Sequence, residues 1–218
     1  MIHDPEILDV KRKPTNRGSR KIIYHYPSLI NKKSVICESG LEWKLCHFLE
    51  LDHASIQSYE SQPHKLVYHH NNKPRRYTPD FLVIQYGVEK IIEVKPDEKL
   101  PLHLDKLQQV KTAYKLLGKQ FVLITDSFIE KQPRLDNAKL ILRYARQQVT
   151  RTSLKAILDF YKGYPKPVTI SSLLDQLSSK KVQAGEIFKL IYAGIIKFDP
   201  ETILTCDSVV WLNNSVNA

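Results

Sequence analysis

The chain has 218 residues, of which 42% are hydrophobic and 26% charged, a globular composition that fits one or two domains and excludes a disordered or fibrous chain. Its formal net charge of +10 favours a polyanionic partner, although a generic basic protein is the alternative. Three scattered cysteines without a CxxC spacing exclude a disulfide framework and a cysteine zinc site. With no signal peptide and no apolar run near 18 residues, we expect a soluble intracellular protein.

The first 33 residues form a basic segment. Between Lys11 and Lys33 there are eight basic residues and no acid, and two prolines and a glycine interrupt the segment. We therefore expect residues 1–33 to be a poorly ordered N-terminal arm. Such an arm either follows a phosphate backbone or is a solvated tail.

The next segment predicts a short strand followed by an amphipathic helix. The strand is expected at Ser34–Glu38, and the helix at about Leu41–Leu51, where apolar residues recur on one face. Ser39 and Glu42 fit a capping box, in which Ser39 caps the helix and Glu42 reaches back to it. The alternative is that Glu42, which lies beside the apolar stripe, faces inward toward a functional site.

Two extended segments follow, at Ile56–Tyr59 and Lys65–His70. Gln62 lies between them, and Pro63 keeps it out of helical geometry. We expect Gln62 either to contact DNA or order the site, or to belong to an ordinary turn.

A turn at residues 71–74 predicts a hairpin that pairs His64–His70 with Tyr77–Gln85. Arg75 and Arg76 follow this turn. They are expected beside the carboxylates described next, where they could meet a phosphate.

The stretch Tyr77–Lys95 predicts a further hairpin that carries an unusual set of charges. Apolar runs on both sides of Gly87 indicate two strands joined by a tight turn. Asp80 opens the first strand, and Glu93 and Lys95 close the second. Glu93 and Lys95 point to the same face, because side chains alternate along a strand. The turn therefore brings Asp80 back toward Glu93 at one end of an apolar hairpin.

Two carboxylates and a spare backbone carbonyl are oxygen ligands of the kind that Mg²⁺ or Mn²⁺ prefers. The expected ligands are Asp80, Glu93 and the carbonyl of Val94. Such an ion would polarise a phosphate and lower the pKa of a bound water, while Lys95 would orient that water or neutralise developing charge. The alternative is an ordinary salt bridge of Lys95 with Glu93 or Asp80.

A helix is expected over about Leu102–Leu117, followed by a buried strand at Phe121–Thr125. A helical crossover into this last strand implies parallel pairing, so the predicted sheet is mixed. Lys106, Lys111 and Lys115 are placed off the apolar stripe of the helix, on the solvated surface.

The C-terminal part of the chain has a different pattern. Residues 131–150 predict a linker helix, with Lys139, Arg143 and Arg146 on one face, directed either to DNA or to solvent. Residues 151–218 predict three helices and a β-hairpin, the composition of a small winged-helix-like domain. Because its third helix has few basic residues, we expect this domain to dock a protein partner.

Four sequence pieces together resemble a known family. They are Glu42 in SGLEWKLCHFLEL, Gln62-Pro63, RRYTPDFLV and IIEVK, in this order. Pro79-Asp80 followed by Glu93-Val94-Lys95 resembles the PD-(D/E)xK nuclease motif. The combination resembles TnsA, the endonuclease subunit of heteromeric transposases, well over residues 34–126 and loosely elsewhere.

The resemblance implies an α/β fold with a restriction-endonuclease-like core at residues 34–130, a mixed sheet flanked by helices. It implies an endonuclease that uses Mg²⁺, with Mn²⁺ as a substitute, to cleave the 5′ ends of a transposon, leaving a 3′-hydroxyl and a 5′-phosphate. The implied catalytic residues are Glu42, Asp80, Glu93 and Lys95. Glu42 would complete the metal shell or hold a second ion.

The resemblance also implies partners. They are the double-stranded DNA of transposon ends, a TnsB-like DDE transposase that cuts and joins the 3′ ends, and a TnsC-like AAA+ ATPase regulator that docks on the C-terminal domain. The DNA contacts are expected from Gln62, Arg75, Arg76 and Tyr77. A bacterial cytoplasmic protein, associated with the nucleoid when active and without a membrane partner, is expected.

Two alternatives to this function stay open. The first is a restriction or repair endonuclease that acts alone. The second is a basic adaptor that binds nucleic acid without cutting it, and it predicts no cleavage that depends on a divalent ion.

Overall fold

The structure is a computed structural model that describes residues 4–10, 22–70 and 73–213. The chain divides into two units, residues 1–131 and residues 132–218. None of the helices in these described ranges is long and apolar enough to span a membrane.

The first unit combines strands with three helices in its described part. The strands are β1 (Glu6–Leu8), β2 (Tyr24–Pro27), β3 (Ser34–Cys37), β4 (Ile56–Ser61), β5 (Lys65–His70), β6 (Lys73–Tyr77), β7 (Phe81–Gln85), β8 (Val88–Lys95) and β9 (Gln120–Thr125). The helices are α1 (Gly40–Leu51), α2 (Leu100–Leu116) and α3 (Asp126–Ile129). A 3₁₀ turn at Asp97–Lys99 precedes α2.

The central sheet has the strand order β4-β7-β8-β9. β7 pairs antiparallel with β4 and β8, whereas β9 pairs parallel with β8 after the crossover through α2. The tight turn between β7 and β8 consists of Tyr86 and Gly87, which both have positive φ, as a two-residue hairpin turn requires. The predicted hairpin and the mixed sheet are therefore confirmed.

The central sheet separates two hydrophobic clusters. One lies on the side of α1 and includes Leu45, Phe81 and Val94, and the other contains Ile91 and Tyr114 of α2. Successive residues of β8 alternate between these clusters, because side chains alternate along a strand. The last strand, β9, is only partly buried, so the prediction of a buried strand at this position is wrong.

The predicted hairpin of His64–His70 with Tyr77–Gln85 is wrong. β5 instead pairs with β6, and a break at residues 78–80 separates β6 from β7, which pairs with β4. Pro79 lies in this break and lacks the N–H that a central strand needs. The turn residues Asn71 and Asn72 lie outside the described residues.

The prediction that residues 1–33 are poorly ordered is wrong for the described part of this segment. β1 pairs with β5, and β2 pairs with β3. The segment before β3 is held by the buried carboxylate of Glu50 on α1. That carboxylate accepts hydrogen bonds from the Ser28 hydroxyl at 2.5 Å, the Leu29 N–H at 3.0 Å, the Ile30 N–H at 3.2 Å and the Tyr59 hydroxyl at 2.7 Å. Most of the predicted basic run, residues 11–21, lies outside the described residues.

The second unit contains helices and a small antiparallel sheet. Its helices are α4 (Arg134–Arg143), α5 (Arg151–Gly163), α6 (Ile170–Gln176) and α7 (Ala184–Tyr192). Its strands are β10 (Val168–Thr169), β11 (Ile196–Phe198) and β12 (Val209–Leu212), in the order β10-β12-β11. The predicted C-terminal hairpin is confirmed by the pairing of Ile196 with Leu212.

Helix α4 belongs to the second unit and ends at Arg143. Its buried Asn137 accepts a hydrogen bond from the Leu204 N–H at 2.8 Å and donates to the Thr202 carbonyl at 2.8 Å. Arg146 lies beyond the helix, so the predicted helical face that it would share with Lys139 and Arg143 is not present.

Candidate active site

A cleft of about 630 Å³ in the first unit brings together all the predicted site residues except Arg75. Its acidic lining residues are Glu38, Glu42, Asp80 and Glu93. Its basic lining residues, with one histidine, are Arg76, Lys95, Lys99, His103 and Lys106. Gln62, Tyr77 and Val94 also line the cleft.

The pairing of β7 with β8 brings the two central carboxylates together. The register pairs Phe81 with Ile92, so Asp80, one residue before β7, lies opposite Glu93. The Val94 N–H donates to Asp80 Oδ2 at 2.7 Å and fixes this carboxylate at the end of β8. Asp80 and Glu93 therefore lie together at the end of the hairpin.

The environment of Asp80 opposes its ionisation. Burial raises the pKa of Asp80 well above its usual range, and the negative charges of Glu93 and Glu42 raise it further. The Val94 N–H and the Lys95 ammonium act in the opposite direction, but they do not cancel this effect. The site thus holds more negative charge than its own cations compensate.

Glu93 is held by two hydrogen-bond donors. Its carboxylate is buried, accepts a hydrogen bond from the Tyr77 hydroxyl and lies 2.6 Å from Lys95 Nζ. Burial alone would lower the pKa of Lys95, but Glu93, Asp80 and Glu42 raise it overall. Lys95 is therefore an ammonium at neutral pH. The salt bridge considered from the sequence is present, and it lies within the carboxylate cluster.

Glu42 lines the cleft and also caps α1. The Ser39 hydroxyl accepts from the Glu42 N–H at 3.1 Å and donates to Glu42 Oε1 at 2.8 Å. The Glu38 N–H donates to Glu42 Oε2 at 2.8 Å. Burial raises the pKa of Glu42 despite these two hydrogen bonds to its carboxylate. The predicted capping interaction is confirmed, and it fixes a third carboxylate at the cleft.

The donor set of the cleft fits a hard divalent cation. Asp80 and Glu93 supply carboxylate oxygens, and the Val94 carbonyl, 3.4 Å from Lys95 Nζ, lies between them along the chain. The described residues contain no group of three His, Cys, Asp or Glu side chains that could hold a metal ion. The set that fits is therefore the two carboxylates with the carbonyl, and Glu42 lies outside it.

Gln62 has two unusual features at the edge of the cleft. Its backbone has φ of +47°, a conformation that costs a non-glycine residue free energy, and its N–H donates to the Asp80 carbonyl at 2.9 Å. Its Oε1 atom is buried and has no hydrogen-bond partner within the described part of the chain. Strained residues of this kind concentrate at functional sites.

The sequence analysis did not identify the basic residues that α2 and the preceding turn contribute to the cleft. These residues are Lys99, His103 and Lys106. Placing Lys106 off the apolar stripe was wrong, because it lies seven residues, or two helical turns, before the buried Ala113. This spacing was the signal that could have identified it.

A carboxylate pair with a lysine at the end of a bent antiparallel hairpin defines the PD-(D/E)xK class of nuclease site. Residues 53–126, about a third of the chain, match the family described as TnsA-like endonuclease, N-terminal. This segment belongs to that family, which confirms the predicted resemblance to TnsA-type endonucleases. The match includes Asp80, Glu93 and Lys95 but neither Glu42 nor the second unit. No curated protein matches the chain.

Asp80→Asn should stabilise the metal-free protein at neutral pH. Because the fold raises the pKa of Asp80, wild-type stability falls as pH rises through the range between the ordinary and the raised pKa, and asparagine removes this loss. We expect the melting temperature in EDTA to rise by about 2–4 °C for each kcal/mol of repulsion removed. The difference between variant and wild type should shrink as the pH is lowered.

The matched control for this measurement is Asp175→Asn, which changes an exposed carboxylate on α6 and should leave the melting temperature unchanged. A lower melting temperature for Asp80→Asn at neutral pH would show that attraction to Lys95 and the Val94 N–H outweighs the repulsion.

Substitutions at Gln62 test its backbone strain. Gln62→Gly should be more stable than Gln62→Ala by about 1 kcal/mol, because only glycine adopts positive φ without a steric cost. Urea denaturation of the two variants measures this difference. Equal midpoints would mean that residue 62 does not keep this conformation in solution.

Proposed function

We propose that this protein is a Mg²⁺-dependent DNA endonuclease, with Mn²⁺ as a substitute, that cleaves the 5′ ends of a transposon during cut-and-paste transposition. The observation that carries the proposal is the juxtaposition of Asp80, Glu93 and Lys95 in a cleft of a TnsA-like endonuclease domain. The overall basic charge of the chain fits a DNA substrate.

The proposed reaction is hydrolysis of a phosphodiester. Water attacks the phosphorus in line, the bond to the 3′ oxygen breaks, and that oxygen takes up a proton. The products are a 3′-hydroxyl and a 5′-phosphate. A bound divalent ion supplies polarisation of the phosphate and a lower pKa for the attacking water.

The residues around the site have distinct roles in this proposal. Asp80 and Glu93, with the Val94 carbonyl, hold the ion, and Glu42 completes the shell or holds a second ion. Lys95 enters as an ammonium beside Glu93, so it orients the water and stabilises negative charge that develops on the phosphate.

Four residues are proposed on the DNA side of the site. Gln62 and Arg76 line the cleft, whereas Arg75 does not, and neighbouring residues of a strand face opposite sides. Arg75 is proposed to contact DNA outside the cleft. Tyr77 is buried with its hydroxyl on Glu93, so we assign it to orienting that carboxylate beside the DNA.

The second unit is proposed to be a winged-helix-like domain that docks a protein partner. Its order α5-β10-α6-α7-β11-β12 is the one that such domains have. In α7, which would be the recognition helix, Lys189 Nζ donates to the Ala145 carbonyl at 2.6 Å and lies 4.7 Å from the ring centroid of Tyr192. Because this ammonium is already engaged, the helix is poorly equipped to read DNA.

The proposed partners follow from the family. They are a TnsB-like DDE transposase, which processes the 3′ ends, and a TnsC-like AAA+ ATPase regulator, which docks on the second unit. The proposed location is the bacterial cytoplasm, at the nucleoid during transposition.

The decisive test is cleavage of a transposon-end duplex by the reconstituted subunits with Mg²⁺. Asp80→Ala and Lys95→Ala should each lower the rate of 5′-end cleavage by more than about 100-fold, because each removes charge stabilisation at the reacting phosphate. Binding of the duplex and the folded state should be largely retained, as gel shift and circular dichroism would show.

Glu98→Ala serves as the control, since this exposed acid lies three residues after Lys95 and does not line the cleft. It should cleave like the wild type. An Asp80→Ala protein that still nicks DNA would contradict the assignment. Cleavage of non-transposon DNA without partners would favour a restriction or repair enzyme, and metal-independent binding without cleavage would favour a basic adaptor.

A further inference from the structure

The face of α2 that points into the first unit changes character along the helix. In its second half this face carries the buried residues Leu107, Val110, Ala113 and Tyr114. Residues with the same helical phase in the first half and in the preceding turn are Lys99, His103 and Lys106. One continuous stripe is therefore apolar where it packs on the sheet and basic where it lines the cleft.

The spacing of the basic residues makes this arrangement specific. Lys99 and Lys106 are seven residues apart, as are Lys106 and the buried Ala113. Seven residues correspond to two helical turns and about 10 Å along an α-helix. At a rise of 3.4 Å per nucleotide, this distance spans about three nucleotides of one DNA strand.

Lys106 is connected to the carboxylate cluster through Tyr77. Its ammonium lies over the ring of Tyr77, 5.2 Å from the centroid, and the Tyr77 hydroxyl donates to Glu93. Lys106 is thus fixed two side chains away from the proposed metal ligand, whereas Lys111 and Lys115 are exposed and do not line the cleft. A cation held in this way is suited to a ligand that also reaches Glu93.

We propose that Lys99, His103 and Lys106, together with Arg76, form a binding site for the DNA backbone phosphates next to the phosphate that is cleaved. The carboxylates of the cleft repel DNA, and the basic residues offset this repulsion over the neighbouring nucleotides. The inference deepens the proposed function and rests on it, because the site is defined by its distance from the reacting phosphate.

The test compares two charge-matched double variants in the same helix region. Lys99→Ala/Lys106→Ala removes two cations of the cleft, and Lys111→Ala/Lys115→Ala removes two exposed cations outside it. Binding to a short duplex is measured in EDTA over about 50–200 mM salt, where each lost phosphate contact lowers the slope of log K against log salt by about 0.9.

We expect the cleft variant to lose about 1.8 in salt slope and at least about tenfold in affinity, while the control variant stays close to the wild type. The single variant Lys99→Ala, which leaves the contact of Lys106 with Tyr77 intact, should lose about half of this slope. Urea midpoints near the wild-type value would show that all variants are folded.

Equal losses in the two double variants would overturn the inference, because diffuse surface charge would then explain binding. If the wild type still cleaved transposon ends in that case, the proposed function would stand without this phosphate site. If the wild type neither bound nor cleaved the duplex together with its partners, the proposed function would fail and the inference with it.

Discussion

The antiparallel register between β7 and β8 is the constraint on which the candidate site depends. It pairs Phe81 with Ile92 and so places Asp80 opposite Glu93, at the end of a hairpin whose other residues are largely apolar. The turn at Tyr86 and Gly87 fixes this register, because both residues have the positive φ of a two-residue turn. A slip of one residue would move Asp80 away from Glu93 and reverse the faces of the strand.

A protein that only needed stability would not collect these charges. Asp80 and Glu93 share one cleft with Glu42, and their mutual repulsion raises the pKa of Asp80 beyond the effect of burial. Lys95, Tyr77 and the Val94 N–H hold the group together without neutralising it. Such a cluster stores electrostatic free energy that a divalent cation and a phosphate can release.

The sequence predicted the parts of the fold that local chemistry decides. The turn at Gly87 and the alternation in β8 predicted the hairpin and its charged end, and the helix-mediated crossover predicted the parallel pairing of β9. The capping box of Ser39 and Glu42 followed from spacing alone. In each case the pattern lies within a short segment or in one connection.

The errors concern partners that are distant in the chain. Strand β5 pairs with β1 and β6, and no local pattern distinguishes this arrangement from pairing with Tyr77–Gln85. The segment before β3 is ordered by Glu50, a residue of α1 more than 20 positions away. Lys106 was assigned to the solvated surface because its cation faces a cleft that exists only after the sheet has formed.

The most direct test of the central claim is anomalous diffraction from crystals of the protein soaked in Mn²⁺. The account predicts a manganese peak about 2.2 Å from carboxylate oxygens of Asp80 and Glu93, with the Val94 carbonyl as a further ligand. A cleft without manganese, in which Lys95 keeps its contact with Glu93 at saturating Mn²⁺, would contradict it.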